Sequence, residues 1–351
     1  MKAAIFYGPG DIRLEEISLP KISDQEVLVK VKAAGICGSD LHFYGGTTES
    51  FAPAPGSILG HELSGEVVKV GDKIHDIEIG DRVGIEPLIG CGKCEFCLSG
   101  DYHLCRELKH IGIAFGGGFA EYTKAPRRNV FPLPANVSYE AAALLDCYAV
   151  SVHAIHRVPI QVVDTVAVLG SGTIGLTTMQ VAKAAGARRV IVVGRRSESL
   201  KLAREAGADE TINLTNADLI EEVGVLTNTR GVDITFECVG GTASTLSQAI
   251  SIARPGGKVC VIGLFTATPP LDLWAALTKE LDVKFAMSYA RWDNQVEFAI
   301  ALDLMTSERL RPEPLITHRL PLEKITEGFN ILLDKARTNA VKVILQPSQS
   351  T

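Results

Sequence analysis

The chain has 351 residues, 46% of them hydrophobic and 22% charged, with a formal net charge of −6. That length favours about two domains, each large enough for its own core, and the balance is ordinary for a soluble globular enzyme. No basic block points to a nucleic-acid or anionic-membrane partner, and no apolar run approaches the length of a membrane span. The opening residues, "MKAAIFYGPGDIRLEE", hold no apolar signal core, and cysteines 37, 147, 238 and 260 are scattered as in a protein kept reduced. Cytoplasm is the expected compartment.

Up to about residue 150, short β-type runs such as "EVLVKVKAAG" and "SGEVVKVGD" alternate with Gly, Pro and Asp turns. This predicts an all-β domain of partly closed-barrel type. Within it, "GICGSDLHFYGG" supplies Cys37, Ser39, Asp40 and His42, and "LGHELSGEVVKVG" supplies His61 and Glu62. Singly each is an ordinary packing or surface residue. Together, beside a nucleotide domain, they suggest a metal site with fewer than four protein ligands, the form in which zinc keeps a position for water or substrate. The loop "FYGGTTESFAPAPGS" is expected to line the pocket.

Next comes "CGKCEFCLSGDYHLC", which places Cys91, Cys94, Cys97 and Cys105 within fifteen positions. Neighbours three apart are badly placed to form disulfides with one another, whereas four thiolates in one lobe can close a tetrahedron around Zn²⁺. Four ligands fill the shell, so this structural zinc would hold a loop together and do no chemistry. Glu95, Asp101 and Glu107 flank the cysteines, which argues against a nucleic-acid-binding zinc ribbon.

From about residue 163 the pattern becomes strand–helix–strand. "DTVAVLG", "RRVIVVG", "ETINL", "VDITFECVG", "GKVCVIG" and "LDVKFAMS" are six short apolar runs, separated by helical stretches such as "SESLKLAREAGA" and "TASTLSQAISIA". They predict a doubly wound parallel sheet with helices on both faces. "VAVLGSGTIGL" sets Gly170-x-Gly172-x-x-Gly175, with Thr173 and Ile174 between, after a strand and at the start of a helix, the context that makes a glycine-rich turn a dinucleotide site. The second strand ends in Gly194, Arg195 and Arg196 rather than in the Asp or Glu that accepts from an NAD ribose. A small residue followed by two guanidiniums suits a 2′-phosphate, so NADP(H) is expected over NAD(H). After about residue 288, "NQVEFAIALDLMTS" and "LEKITEGFNILLDKA" read as amphipathic helices and "NAVKVILQ" as a closing strand.

"GICGSDLH", "GHELSGEV", "GDRVGIEPLIGCGKCEFCLSGDYHLC", "GGGFAEY" and "LGSGTIGL" stand in the order and spacing of the zinc-dependent medium-chain alcohol dehydrogenases, which the chain resembles over essentially its whole length. The sorbitol (polyol) and secondary-alcohol branches are the most similar. The resemblance implies an α/β protein: a GroES-like catalytic domain (1–152, with the zinc lobe at about 90–106), a Rossmann domain with a six-stranded parallel sheet (153–287), and a segment (288–351) that returns to the first domain. It implies that Cys37 and His61 bind a catalytic zinc, with Glu62 a close neighbour that ligates in some states. For the third ligand, Asp146 and Cys147 stand side by side in "LLDCYAVSVHA". Asp146 keeps the seven-residue interval to His153 found in polyol dehydrogenases and is preferred. Asp40 is expected to buttress the loop.

The implied mechanism has zinc lower the pKa of an alcohol, Ser39 accept its proton, His42 pass that proton to solvent by way of the nicotinamide ribose, and the nicotinamide take the hydride. The expected partners are a small alcohol or ketone and further copies of the chain, as a dimer or tetramer. An NAD-dependent polyol, diol or threonine-type dehydrogenase is the alternative, and a zinc-ribbon nucleotide sensor a more distant one.

Overall fold

The computed structural model describes residues 1–47 and 52–347. The chain forms two compact units, one from residues 1–146, 293–306 and from 316 onward, the other from 147–292 and 307–315. The chain passes from one unit to the other at 146/147, 292/293, 306/307 and 315/316.

The first unit is built on a seven-stranded sheet. Its central strand, Glu26–Gly35, lies between Glu62–Val70 and Lys342–Gln346, and it also pairs with Tyr122–Pro126. Arg82–Ile85 and Val130–Pro132 continue the sheet on one side and Ile316–Pro321 on the other. Along Glu26–Gly35 the alternate residues Val27, Val29 and Val31 are fully buried, and they pack with Leu63, Val67, Val83, Phe119 and Phe329. Alternating burial of this kind is what fixes register, since a slip of one residue would turn the apolar set outward.

The same register aligns two of the expected zinc ligands. Gly35 lies opposite Glu62 on one side and opposite Ile344 on the other. The strand ends at Gly35 and the next begins at Glu62, so Cys37 and His61 leave the sheet side by side. A Cβ at position 35 would come within 2.1 Å of a Glu62 carboxylate oxygen, so a glycine is needed there for close approach.

The second unit holds a six-stranded parallel sheet in the order Glu210–Asn213, Arg189–Gly194, Thr165–Leu169, Val232–Glu237, Ala253–Val261, Asp282–Phe285. Thr165–Leu169 and Val232–Glu237 are buried at every residue; the first reads as a nearly continuous apolar run, whereas the second buries Asp233, Thr235 and Glu237 among its apolar residues. The strand order reverses between these two strands, and in such sheets ligands bind outside the carboxyl ends at the point of reversal. Both sheets are those expected for a GroES-like unit joined to a Rossmann unit. No described helix is long and apolar enough to cross a membrane.

Candidate functional site

The four-cysteine lobe is folded around its sulfurs. Cys94 N-caps the helix Glu95–Ser99, and a short 3-10 turn, Tyr102–Leu104, leads to Cys105. Sγ atoms of Cys91 and Cys97 lie 3.9 Å apart, and those of Cys94 and Cys105 3.8 Å. Four sulfurs about 2.3 Å from a tetrahedral zinc would be separated by about 3.8 Å. Backbone N–H groups already point at two of them, Cys91 N–H at Cys105 Sγ (3.3 Å) and Cys94 N–H at Cys91 Sγ (3.4 Å). Hydrogen bonds from Lys93 and Cys94 pull the Cys91 thiol down to about 6, while burial pushes Cys97 up to about 12. The lobe thus supports thiolate at some positions and needs a cation to hold it at all four.

The second cluster is drawn from separate stretches of the first unit. Cys37 N-caps the helix Gly38–Tyr44, and Asp40, one turn in, accepts the Cys37 N–H through Oδ2 (2.9 Å). Ligand atoms of Cys37, His61 and Glu62 all lie within 4.8 Å of one another. Burial alone would lower the pKa of His61, but Cys37, Asp40 and Asp146 around it reverse that and raise it well above the usual imidazole value. The site favours positive charge, as a metal-binding site should. Asp146 comes from the first turn of the helix Leu145–Arg157, and its charge reaches His61. Neither Asp146 nor its buried neighbour Cys147 places an atom among the ligand atoms grouped within 4.8 Å.

Two buried atoms here lack hydrogen-bond partners, His61 Nδ1 and Asp40 Oδ1, and they face each other at 3.8 Å. A metal-bound imidazole commonly offers its other nitrogen to a carboxylate in this way, which fixes its tautomer and orientation. Asp40 therefore does more than buttress the loop: it holds the backbone of Cys37 and faces the ring of His61. Residues of this donor set (thiol, imidazole, carboxylates) suit zinc.

Glu62 has a partner that the sequence did not reveal. Lys342 Nζ, buried with it, lies 2.5 Å from Glu62 Oε2 and donates to the Ile36 carbonyl at 3.2 Å. The signal was a lysine within the apolar run "NAVKVILQ". Ser39 and His42 sit three residues apart on the first helix. His42 Nδ1 is 2.7 Å from Thr47 Oγ1, and burial, then Lys335, lowers its pKa, leaving a neutral ring able to pick up a proton. Residues 48–51 of the loop expected to line the pocket lie outside the described residues.

A second imidazole stands beside the cluster. His110, on the short strand Lys109–His110, meets His61 edge to face with ring centroids 5.1 Å apart. Its Nδ1 is 2.7 Å from the Ile111 carbonyl, and burial, followed by the charge on His61, pushes it down to about 3. Nothing in "LKHIGIAF" marks this histidine in the sequence.

In the second unit, Gly170 takes a φ of +117° and donates its N–H to the Val193 carbonyl, closing the turn. Gly172 N-caps the helix Thr173–Ala184, and a Cβ on it would meet nothing within 4 Å, so the space before the helix terminus is open to a pyrophosphate. A Cβ on Gly175 would lie 1.8 Å from the Gly170 carbonyl. Thr173 and Ile174 form the first turn of that helix. Past the second strand, Arg195 is exposed, while Arg196 is half-buried and reaches the Ser171 carbonyl (3.5 Å). Gly194 is not an open position: a Cβ there would come 2.4 Å from Ser171 Oγ, which is itself 2.7 Å from Ser199 Oγ.

Two family models match the chain, the alcohol dehydrogenase GroES-like domain over residues 23–135 and the zinc-binding dehydrogenase over residues 173–307. Among curated proteins, sorbitol dehydrogenase of Bacillus subtilis (strain 168) is 34% identical over 352 residues, covering 99% of this chain and 98% of the relative. Among solved structures, 2R,3R-butanediol dehydrogenase from Bacillus subtilis superposes with a TM-score of 0.89 at 32% identity, with 99% of each chain covered. A dehydrogenase from Sinorhizobium meliloti 1021, solved with NADP bound, gives a TM-score of 0.89 at 33% identity and the same coverage.

Proposed function

This chain belongs to the zinc-dependent medium-chain alcohol and polyol dehydrogenase family, and from that premise we infer that it transfers a hydride between NADP(H) and a secondary alcohol or polyol and its ketone. The observation that carries this reading is the convergence of Cys37, His61 and Glu62 within 4.8 Å, with Asp146 acting on His61. In this reading Cys37, His61 and Asp146 hold a catalytic zinc, Glu62 stands in reserve against Lys342, and Cys91, Cys94, Cys97 and Cys105 hold a second, structural zinc. When bound, the catalytic metal supplies Lewis acidity at the alcohol oxygen.

The remaining work falls to side chains. Asp40 faces the Nδ1 side of the His61 ring at 3.8 Å, a carboxylate that favours the hydrogen on that nitrogen and leaves Nε2 to ligate. Ser39 accepts the alcohol proton, and His42, neutral and only half-buried, takes it on toward solvent. Gly170, Gly172, Thr173, Ile174 and Gly175 form the pyrophosphate turn, and Gly194, Arg195 and Arg196 the adenosine end. Support for NADP comes from the missing carboxylate at position 194 and the two guanidiniums after it, with Arg196 the better anchored. The resemblance to polyol and diol dehydrogenases supports a substrate with more than one hydroxyl, and a homo-oligomer in the cytoplasm is in keeping with it.

Metal analysis together with NADPH absorbance over a panel of secondary alcohols, diols and sugar alcohols tests this function. Two zinc ions per chain and turnover that favours NADP are expected. A chain with two zinc ions that prefers NAD would remove the cofactor assignment and leave the arginines as surface charge.

A further inference from the structure

His110 belongs to no donor set, yet it borders the catalytic one. Its main chain is tied down by three N–H groups, from Ile113, Ala114 and Phe115, that all point at its carbonyl oxygen. Its strand pairs with Leu88–Ile89, so the ring has little freedom to swing away. The Ile111 carbonyl can only accept, so the 2.7 Å contact fixes the hydrogen on Nδ1. In the neutral ring Nε2 is then an acceptor. Among the described residues Nε2 has no protein partner, and it is not sealed from solvent. It contributes no atom to the group formed by Cys37, His61 and Glu62, so it stands beside that group without joining it.

We propose that His110 is a specificity-determining residue, whose Nε2 accepts a hydrogen bond from a second substrate hydroxyl on the carbon next to the one oxidised. In the proposed reading Cys37, His61 and Asp146 are committed to the metal, Glu62 to Lys342 and Ser39 to the proton of the reacting hydroxyl. Among the described residues beside the cluster, His110 offers an acceptor whose ring is fixed by its Nδ1 contact and lies 5.1 Å from that of His61. A monohydric alcohol leaves that acceptor to water, whereas a vicinal diol or polyol satisfies it. This deepens the dehydrogenase reading and rests on it.

The probes are 2,3-butanediol and 2-butanol, which share a carbon skeleton and differ by one hydroxyl. His110→Phe keeps the ring against His61 and removes the acceptor; His110→Gln retains an acceptor. Calorimetric binding of each alcohol to the zinc-loaded protein with NADPH, a dead-end complex, is read beside kcat/KM and zinc content. The diol should lose about tenfold in affinity and in kcat/KM in His110→Phe, the equivalent of one neutral hydrogen bond, with 2-butanol and zinc content unchanged. His110→Gln should recover part of the loss. Equal losses for both alcohols, no loss for either, or loss of zinc would each overturn the assignment, as would a wild-type protein that binds both alcohols alike. Should wild type bind the diol without oxidising it, the dehydrogenase reading fails while the binding comparison still decides the role of His110.

Discussion

The cysteine lobe and the Cys37–His61 cluster are both sets of side chains in the same unit that could hold a metal ion, yet they are assembled in opposite ways. The lobe draws four identical donors from fifteen consecutive positions and orients them with its own backbone N–H groups. The other cluster draws donors of three chemical types from residues 37, 61 and 62, and it depends on the register of a sheet and on a lysine at 342. A short lobe can be closed by its metal with little help from the rest of the fold. The distributed cluster is placed by the fold, so its geometry should survive loss of the metal, and its donors can be spared for chemistry.

The strongest test of this contrast is Cys37→Ser. Turnover should fall below detection and one zinc should be lost, while the melting temperature stays within about 2 °C of wild type, because the sheet rather than the metal holds the site. A large drop in melting would erase the distinction. Cys94→Ser should behave in the opposite sense, losing the other zinc and more than about 5 kcal/mol of stability, a share of the 10–16 kcal/mol that zinc contributes to isolated fingers. Denaturant unfolding followed with metal analysis reads both.

Lys342→Met tests the long-range dependence of the distributed cluster. It strands a buried carboxylate, which costs about 3–5 kcal/mol, and the double variant with Glu62→Gln should recover most of that. No recovery would mean that Lys342 acts through packing alone. Asp40→Asn should weaken zinc affinity or activity by about 10–100-fold without unfolding the protein, measured by chelator competition, because a neutral amide orients His61 less well. The smallest effect lies outside both clusters. Arg196→Ala should cost about tenfold in kcat/KM with NADP and nothing with NAD, from the loss of one charge-assisted bond. Reversal of preference through Gly194→Asp should require Ser171→Gly as well, since Ser171 Oγ occupies the path of the new side chain.

The features that could be read from the sequence are those with a local cause. The buried strand Thr165–Leu169 shows as a nearly continuous apolar run, the glycine turn shows in the spacing of Gly170, Gly172 and Gly175, and the lobe declares itself by its cysteine spacing. What escaped is what the fold brings together from a distance. Lys342 looked like one polar residue in a closing strand, and only the pairing of that strand beside Gly35 carries it to Glu62. The small residue at 194 does not leave space, because Ser171, from the preceding βα turn, lies against it. His110 gained its interest from a ring 49 positions earlier in the chain.

The ion pair between Glu62 and Lys342 also sets an order of events during translation. The lobe is complete once Cys105 has left the ribosome and can bind zinc at that point. Glu62 must wait for a strand made late in the chain, and at about 5–20 residues per second that wait is on the order of 10–50 s. During it, the half-built sheet presents an open edge at Ala34–Gly35 and an unneutralised carboxylate beside the thiol of Cys37. An early metal ion could bind there in a geometry that the finished site would not allow. The nascent chain is thus exposed to mismetallation at one site and protected from it at the other.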